Sequence, residues 1–225
     1  MKKLLTASLI TGLFTLSYSA HAASPYIEGQ LGMANADSVD TNTYNGTASG
    51  ITAVGLRASL EYDNSATFGV EFGFKDVIIP NLRIGASIQT LNFDLDSAEI
   101  NGSITNGATT FTGPVTVTSA DLSSAGLTFD NRVNLFMVNT YYDFKTSTNF
   151  TPFVGFGIGL ADIENAKDNE FAYSLNAGAK YNIDKNMYVG AKAVYTRVSG
   201  PEDELGIKFN DIDVYSANLS IGYEF

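Results

Sequence analysis

Two glutamates, Glu71 and Glu224, are the nearest this sequence comes to a paired-carboxylate acid–base site. Such a site needs two carboxyl groups whose environments push their pKa values apart, beside a group to be activated. Neither glutamate has a candidate nucleophile next to it. The chain has no cysteine and a single histidine, His21, which lies in an amino-terminal leader. Ser-His-Asp triads, Asp-His dyads, thiol nucleophiles and the usual zinc sites are therefore excluded from the mature chain. Glu71 and Glu224 are expected instead as ion-pair partners. The runs Asp162-Ile-Glu164 with Asp168 and Glu170, and Glu202-Asp-Glu204, offer hard oxygen ligands for Ca²⁺, but neither has EF-hand spacing and both read as solvated loop tips. Gly155-x-Gly157-x-Gly159 has the look of a dinucleotide fingerprint, yet it sits on an alternating segment with no helix after it. No cofactor and no metal is expected, and the chain reads as a non-enzyme.

The elements that carry these residues are strands. From Tyr215 to Phe225 the odd positions are Tyr, Ala, Leu, Ile, Tyr and Phe, while the even ones are Ser, Asn, Ser, Gly and Glu. Alternate side chains of a strand point to opposite faces, so this segment has one apolar and one polar wall. Tyr215 and Tyr223 mark its apolar wall roughly 26 Å apart along a strand, or about 20 Å vertically at the usual tilt, close to the ~25 Å between the aromatic girdles of an outer-membrane barrel. Tyr215, Tyr223 and Phe225 are thus expected as lipid-facing girdle residues.

Seven further segments share this pattern: about 25–34, 67–75, 82–89, 132–144, 151–161, 171–181 and 187–197. Short connections at 76–81, 145–149 and 182–186 alternate with longer ones. The stretch before about Ser59 reads as a first long loop. The interval 94–128, with its Asn101-Gly102 and Asn106-Gly107 turn signals, reads as an elongated loop with a small hairpin of its own. The predicted fold is all-β: an eight-stranded antiparallel up-and-down transmembrane β-barrel with both termini on the short-turn side. A soluble barrel would put its apolar face inside and would not need girdle spacing.

The amino terminus agrees with export. Residues 1–22 combine Met1-Lys-Lys3, an apolar stretch from Leu4 to Leu16 and Ala20-His-Ala22, the layout of a cleaved secretory signal. The barrel is then residues 23–225. Taking Lys2 and Lys3 from the 13 Lys+Arg leaves 11 against 24 Asp+Glu, a formal net charge of −13. So acidic a chain is not expected to bind nucleic acid.

With the apolar wall toward lipid, the interior receives Glu28, Glu71, Lys75, Arg83, Asp143, Lys180, Lys192 and Glu224, accompanied by Gln30, Gln89, Asn139 and Asn176. Eight strands leave an interior that side chains just fill. Balanced charges there predict a network of ion pairs plugging the lumen. The alternative is a small, weakly selective porin-like channel, with inward glycines leaving room for water.

Val138-Asn-Thr-Tyr-Tyr-Asp-Phe144, Thr151-Pro-Phe-Val-Gly-Phe-Gly157 and Phe171-Ala-Tyr-Ser-Leu-Asn-Ala-Gly178 resemble strands of the rickettsial major surface antigen family, among the small OmpA-like and opacity-type barrels. The resemblance runs from about Leu135 to Phe225. It implies a bacterial outer-membrane location, loops at the cell surface, and a structural or adhesion/antigen role carried by those loops. A last strand ending in Phe is also similar to the pattern such proteins present to the barrel assembly machinery. Expected partners are that machinery, outer-membrane lipid and lipopolysaccharide, and, through the loops, a ligand on a host surface. The expected state is a monomer.

Overall fold

The computed structural model describes residues 23–124, 131–164, 166–202 and 207–225. The expected leader, 1–22, lies outside the described residues, as do Asp203 and Glu204 of the second acidic run. Along the chain come β1 (Ser24–Ala36), β2 (Val39–Asp40), β3 (Tyr44–Ala48), β4 (Ile51–Tyr62), β5 (Ser65–Lys75), β6 (Leu82–Phe93), β7 (Leu95–Asn106), β8 (Thr109–Thr112) and β9 (Val115–Thr118). The helix α1 (Ser119–Ser124) follows, then β10 (Asn131–Asp143), β11 (Phe150–Ile163), β12 (Glu170–Asn182), β13 (Met187–Val198) and β14 (Ile212–Glu224).

Eight of these strands close into one antiparallel barrel in the order β1-β14-β13-β12-β11-β10-β6-β5. Closure is made by β1, which pairs Tyr26–Ala36 with Glu224–Val214 on one side and Ser24–Ala34 with Lys75–Ser65 on the other. A closed ladder is what lipid demands, because a free strand edge there would leave backbone N–H and C=O groups unsatisfied. The carboxy-terminal residue joins the seam, where the Phe225 N–H donates to the Pro25 carbonyl at 2.9 Å.

The outward wall is largely apolar and turns polar toward the long-loop end, where Thr90 meets Asn134 and Arg197 meets Asp213. Leu31, Phe68, Leu219 and Phe225 are each 63–66% exposed. On a water-soluble surface so continuous an apolar wall would be an association liability; on a membrane barrel it is the lipid contact. Aromatic pairs sit at both rims. Tyr223 and Phe225 (ring centroids 4.9 Å apart) and Tyr142 and Phe144 (5.2 Å) mark the short-turn end. Tyr195 lies 5.4 Å from Tyr215 and 6.4 Å from Tyr173 toward the other end.

The short turns are locked locally. In the β12–β13 turn, Asp184 Oδ1 accepts the N–H groups of Asn186 and Met187 at 2.8 and 2.7 Å. Those two bonds hold its carboxyl below the usual carboxylate range. A depressed folded value means the contribution is complete above the unfolded pKa of about 3.9 and is lost as pH falls through the lower folded value.

At the opposite end the first long loop is not a loop. It contains β2, β3 and the twelve-residue β4, which pairs with β7 from the second long connection. The chain breaks only at Asp63-Asn64 between β4 and β5 and at Asp94 between β6 and β7, so the β5–β6 hairpin is prolonged beyond the barrel as a tall ribbon. The strips β2 and β3 flank β4, while β8 and β9 flank β7. Alternation failed to reveal β4 because the ladder shifts between Val54 and Arg57, where Gly55 adopts φ +63°, and inverts the faces midway. Asn106-Gly107 does open the β7–β8 hairpin, with Gly107 at φ +59°. Asn101-Gly102 is not a turn and lies within β7.

The Gly155-x-Gly157-x-Gly159 run lies in β11, opposite Tyr141, Asn139 and Met137 of β10. A Cβ on Gly155 would come 2.3 Å from the Tyr141 ring, so the glycine makes space for the largest inward neighbour and cradles no phosphate. Gly155→Leu should abolish the heat-modifiable folded band on gels. Gly29→Ala, whose Cβ meets nothing within 4 Å, should leave it intact. Amide protection of Asn186 and Met187 should fall on acidification below about pH 4, and Asp184→Ala should remove that protection at neutral pH.

Candidate functional site

Inward parity brings the predicted charges together near the short-turn end of the barrel. Lys75 Nζ of β5 meets Glu224 Oε2 of β14 at 2.6 Å. The other oxygen, Glu224 Oε1, lies 3.1 Å from Lys180 Nζ of β12, and that ammonium donates to Asp143 Oδ2 of β10 at 2.8 Å. Asp143 in turn accepts from Arg83 Nε of β6 at 3.0 Å. One alternating chain of charge thus links five strands across the lumen. Arg83 is only 2% exposed. Its guanidinium carbon lies 4.6 Å from the Tyr141 ring centroid, 5.0 Å from Phe153 and 5.4 Å from Tyr26. Its Nη2 has no hydrogen-bond partner among the described residues, and these aromatic faces supply compensating attraction.

Glu71 stands apart from that chain. Its carboxylate accepts from the Tyr26 hydroxyl at 2.5 Å, the Tyr141 hydroxyl at 2.8 Å and Asn139 Nδ2 at 2.9 Å. Glu71 and Glu224 therefore engage separate partner sets and form no acid–base dyad. Glu28 accepts from Tyr188 at 2.7 Å and Gln30 at 2.9 Å, while Lys192 Nζ lies 4.0 Å from it, an electrostatic contact too long for a hydrogen bond. Above this layer Thr67 and Gln89 donate to Asn218 Oδ1 at 2.6 and 3.3 Å, and Asn176 donates to Ser174 Oγ at 3.1 Å. The girdle residues Tyr215, Tyr223 and Phe225 lie on the outer wall, 40–66% exposed.

Sequence reasoning passed over Tyr26, Tyr141 and Tyr188 because tyrosine counted toward the apolar wall. Parity would have found them: Tyr26 shares a face with Glu28, Tyr141 with Asp143, and Tyr188 with Lys192. The polar interior is also concentrated in the short-turn half and the middle, with hydroxyl side chains such as Ser65 and Thr196 above it. Toward the loops the inward side chains become apolar, with Ala34, Leu91, Phe93, Leu135, Met137, Ala172, Val198 and Val214 packed as one buried cluster. The run Leu135-Phe-Met-Val138, apolar on both parities, was the available signal.

In the acidic loops the Glu202 carboxylate meets cations of the chain itself. Glu202 faces Lys167 at 3.1 Å and Lys208 at 3.7 Å, and the bond from Lys167 holds its carboxyl below the usual range. Among the described residues no group of three or more His, Cys, Asp or Glu is placed to hold a metal ion.

A closed eight-stranded barrel with an apolar outer wall, aromatic rims, short turns at one end and tall structure at the other defines a small outer-membrane β-barrel. The chain belongs to the outer membrane protein beta-barrel domain family, whose model matches residues 6–225. It is therefore a protein of the bacterial outer membrane. It is 35% identical to outer membrane protein PagN of Salmonella typhimurium, over 28% of this chain and 34% of that one. It is 26% identical to protein Opa of Haemophilus influenzae, over 37% of this chain and 73% of that one. The chain thus spans about a third of PagN. Among solved structures, Neisserial surface protein A shares the fold, with a TM-score of 0.56 at 13% identity, covering 91% of this chain and all of that one.

Lys180 bridges two carboxylates while 4% exposed, so its removal leaves Asp143 and Glu224 undercompensated. Lys180→Met should lower the urea midpoint of unfolding from micelles, by less than the roughly 3–5 kcal/mol of a fully unpaired buried charge because Asp143 keeps Arg83 and Glu224 keeps Lys75. Lys192→Met, removing only a 4.0 Å contact, should cost clearly less, and Ser103→Ala on the ribbon should cost nothing measurable.

Proposed function

We infer that this protein is a non-enzymatic surface protein in which the barrel is an anchor and the strands beyond it make contact with other surfaces. The observation that carries this reading is the ribbon. Its cross-strand neighbours Ile51, Ala53, Ile104 and Phe111 share one face, and Ile51, Ile104 and Phe111 are 42%, 37% and 59% exposed. Such side chains raised beyond the lipid wall on a paired, hydrogen-bonded scaffold suit recognition by shape and apolar contact. Thr47 with Thr52 and Thr105 with Thr110 form hydroxyl pairs at 3.0 Å on the opposite face of the ribbon. The absence of histidine and cysteine from residues 23–225, together with the commitment of the inward carboxylates to tyrosines, amides and cations, supports the non-enzymatic reading.

The partners of this reading are outer-membrane lipid and lipopolysaccharide around the wall, the barrel assembly machinery at the last strand, and a ligand on a host surface at the ribbon. No nucleic acid is expected, and the working unit is a monomer. A porin-like channel is less well supported, because Arg83, Tyr26, Tyr141, Tyr188 and Glu71 are fully buried across the lumen.

The test uses a non-adherent bacterial host displaying the protein. Ile104→Asp with Phe111→Asp should abolish adherence to cultured cells while heat-modifiability is kept. Adherence unchanged by this pair would end the ribbon assignment. Purified protein should give silent planar bilayers, whereas steady conductance altered by Arg83→Ala would replace the anchor reading with the channel.

A further inference from the structure

Between the barrel mouth and the ribbon lies a cavity of about 700 Å³. Leu91, Leu135 and Val214 form its base from barrel strands, and Leu60, Ile100 and Val117 cover it from the ribbon. The volume falls within the range of small-molecule sites and far exceeds a packing defect. The polar side-chain groups on its wall are the hydroxyls of Thr41 and Tyr62 and the carboxylate of Glu164. Thr41 Oγ1 is already engaged, accepting the Ala58 N–H at 2.9 Å, and Glu164 is exposed at the rim. Water needs two to four polar partners to be held in a buried site, and this wall does not provide them.

We propose that this chamber is a binding site for one uncharged, hydrocarbon-rich small molecule taken up from the outer face. The uncharged character follows from the lining. No Lys or Arg lines the cavity among the described residues, so a carboxylate or phosphate head would find no counter-charge, and Glu164 would repel it. Retention rather than passage follows from what lies beneath. Thr67, Asn139, Ser174 and Asn218 are all buried below the chamber and hydrogen-bonded, Thr67 to Asn218, Asn139 to Glu71 and Ser174 to Asn176, a polar layer that an apolar molecule cannot cross cheaply. The apolar half of the lumen thereby gains a role that neither the anchor nor the ribbon needs, and the site does not depend on adhesion.

The protein in lipid nanodiscs is titrated with N-phenyl-1-naphthylamine, an uncharged fluorescent lipophile, against protein-free nanodiscs. Saturable binding near one probe per protein is expected, displaced by 1-dodecanol and at least about tenfold less well by dodecanoate. Ala58→Trp and Ala98→Trp, each filling the chamber from the ribbon, should each weaken binding about tenfold while keeping the heat-modifiable band. In the wild-type protein an uncharged diazirine photoprobe should label inward residues such as Leu91 and Val214, and 1-dodecanol should protect those residues but not lipid-facing ones. A signal that rises with lipid without saturating would overturn the proposal. Binding unaffected in a folded Trp variant, or photolabelling that 1-dodecanol protects nowhere inside the barrel, would do so equally. Dodecanoate competing as well as dodecanol would overturn the uncharged class.

Discussion

The alternating chain Lys75–Glu224–Lys180–Asp143–Arg83 is the constraint on which the rest of the barrel interior depends. Charges placed in so enclosed a space are tolerated only when each has a partner, and here the partners come from strands distant in sequence. The pairing therefore selects register: a one-residue slip in β12 would send Lys180 to the lipid and leave Asp143 with Arg83 alone and Glu224 with Lys75 alone. Tyrosine hydroxyls complete the arrangement around Glu71, which accepts from neutral donors, and around Glu28, whose cation Lys192 stands off at 4.0 Å. Gly155 and its neighbours in β11 are the steric counterpart, leaving room for the ring of Tyr141 in the same layer.

That polar layer divides the molecule. Below it, short turns such as the Asp184-locked one tie the strands together. Above it the same barrel carries an apolar interior, and the hairpin β5–β6 continues upward as the β4–β7 ribbon. The ion-pair layer and the lipid wall hold the fold, while the ribbon and the cavity beneath it lie outside that layer. The high exposure of Phe111 and the complete burial of Arg83 are two ends of that division.

The barrel itself was legible in the sequence. Side-chain period, the alternation of long and short connections and the spacing of Tyr215 and Tyr223 depend on local chemistry and on the fixed geometry of a strand, so they survive without tertiary information. Strands β5 and β14 and the assignment of Glu28, Arg83 and Lys180 to one face follow from that period alone. The ribbon was not legible. A bulge at Gly55 inverts the alternation of β4 midway, and its partner β7 lies beyond two barrel strands in sequence, so the pairing that makes it a strand is non-local.

Which charge meets which was likewise undetermined by sequence. Parity says that Glu71 and Glu224 point inward; only barrel closure decides that Glu224 meets Lys75 and Lys180 while Glu71 meets three neutral donors. The apolar chamber is a tertiary product in the same sense. Leu91 and Val214 belong to the barrel, Leu60 and Ile100 to the ribbon, and no local pattern links them. The sequence by itself determined the faces, because strand geometry acts residue by residue. The tertiary structure decided the partners, because partners depend on where closure and the ribbon bring distant strands.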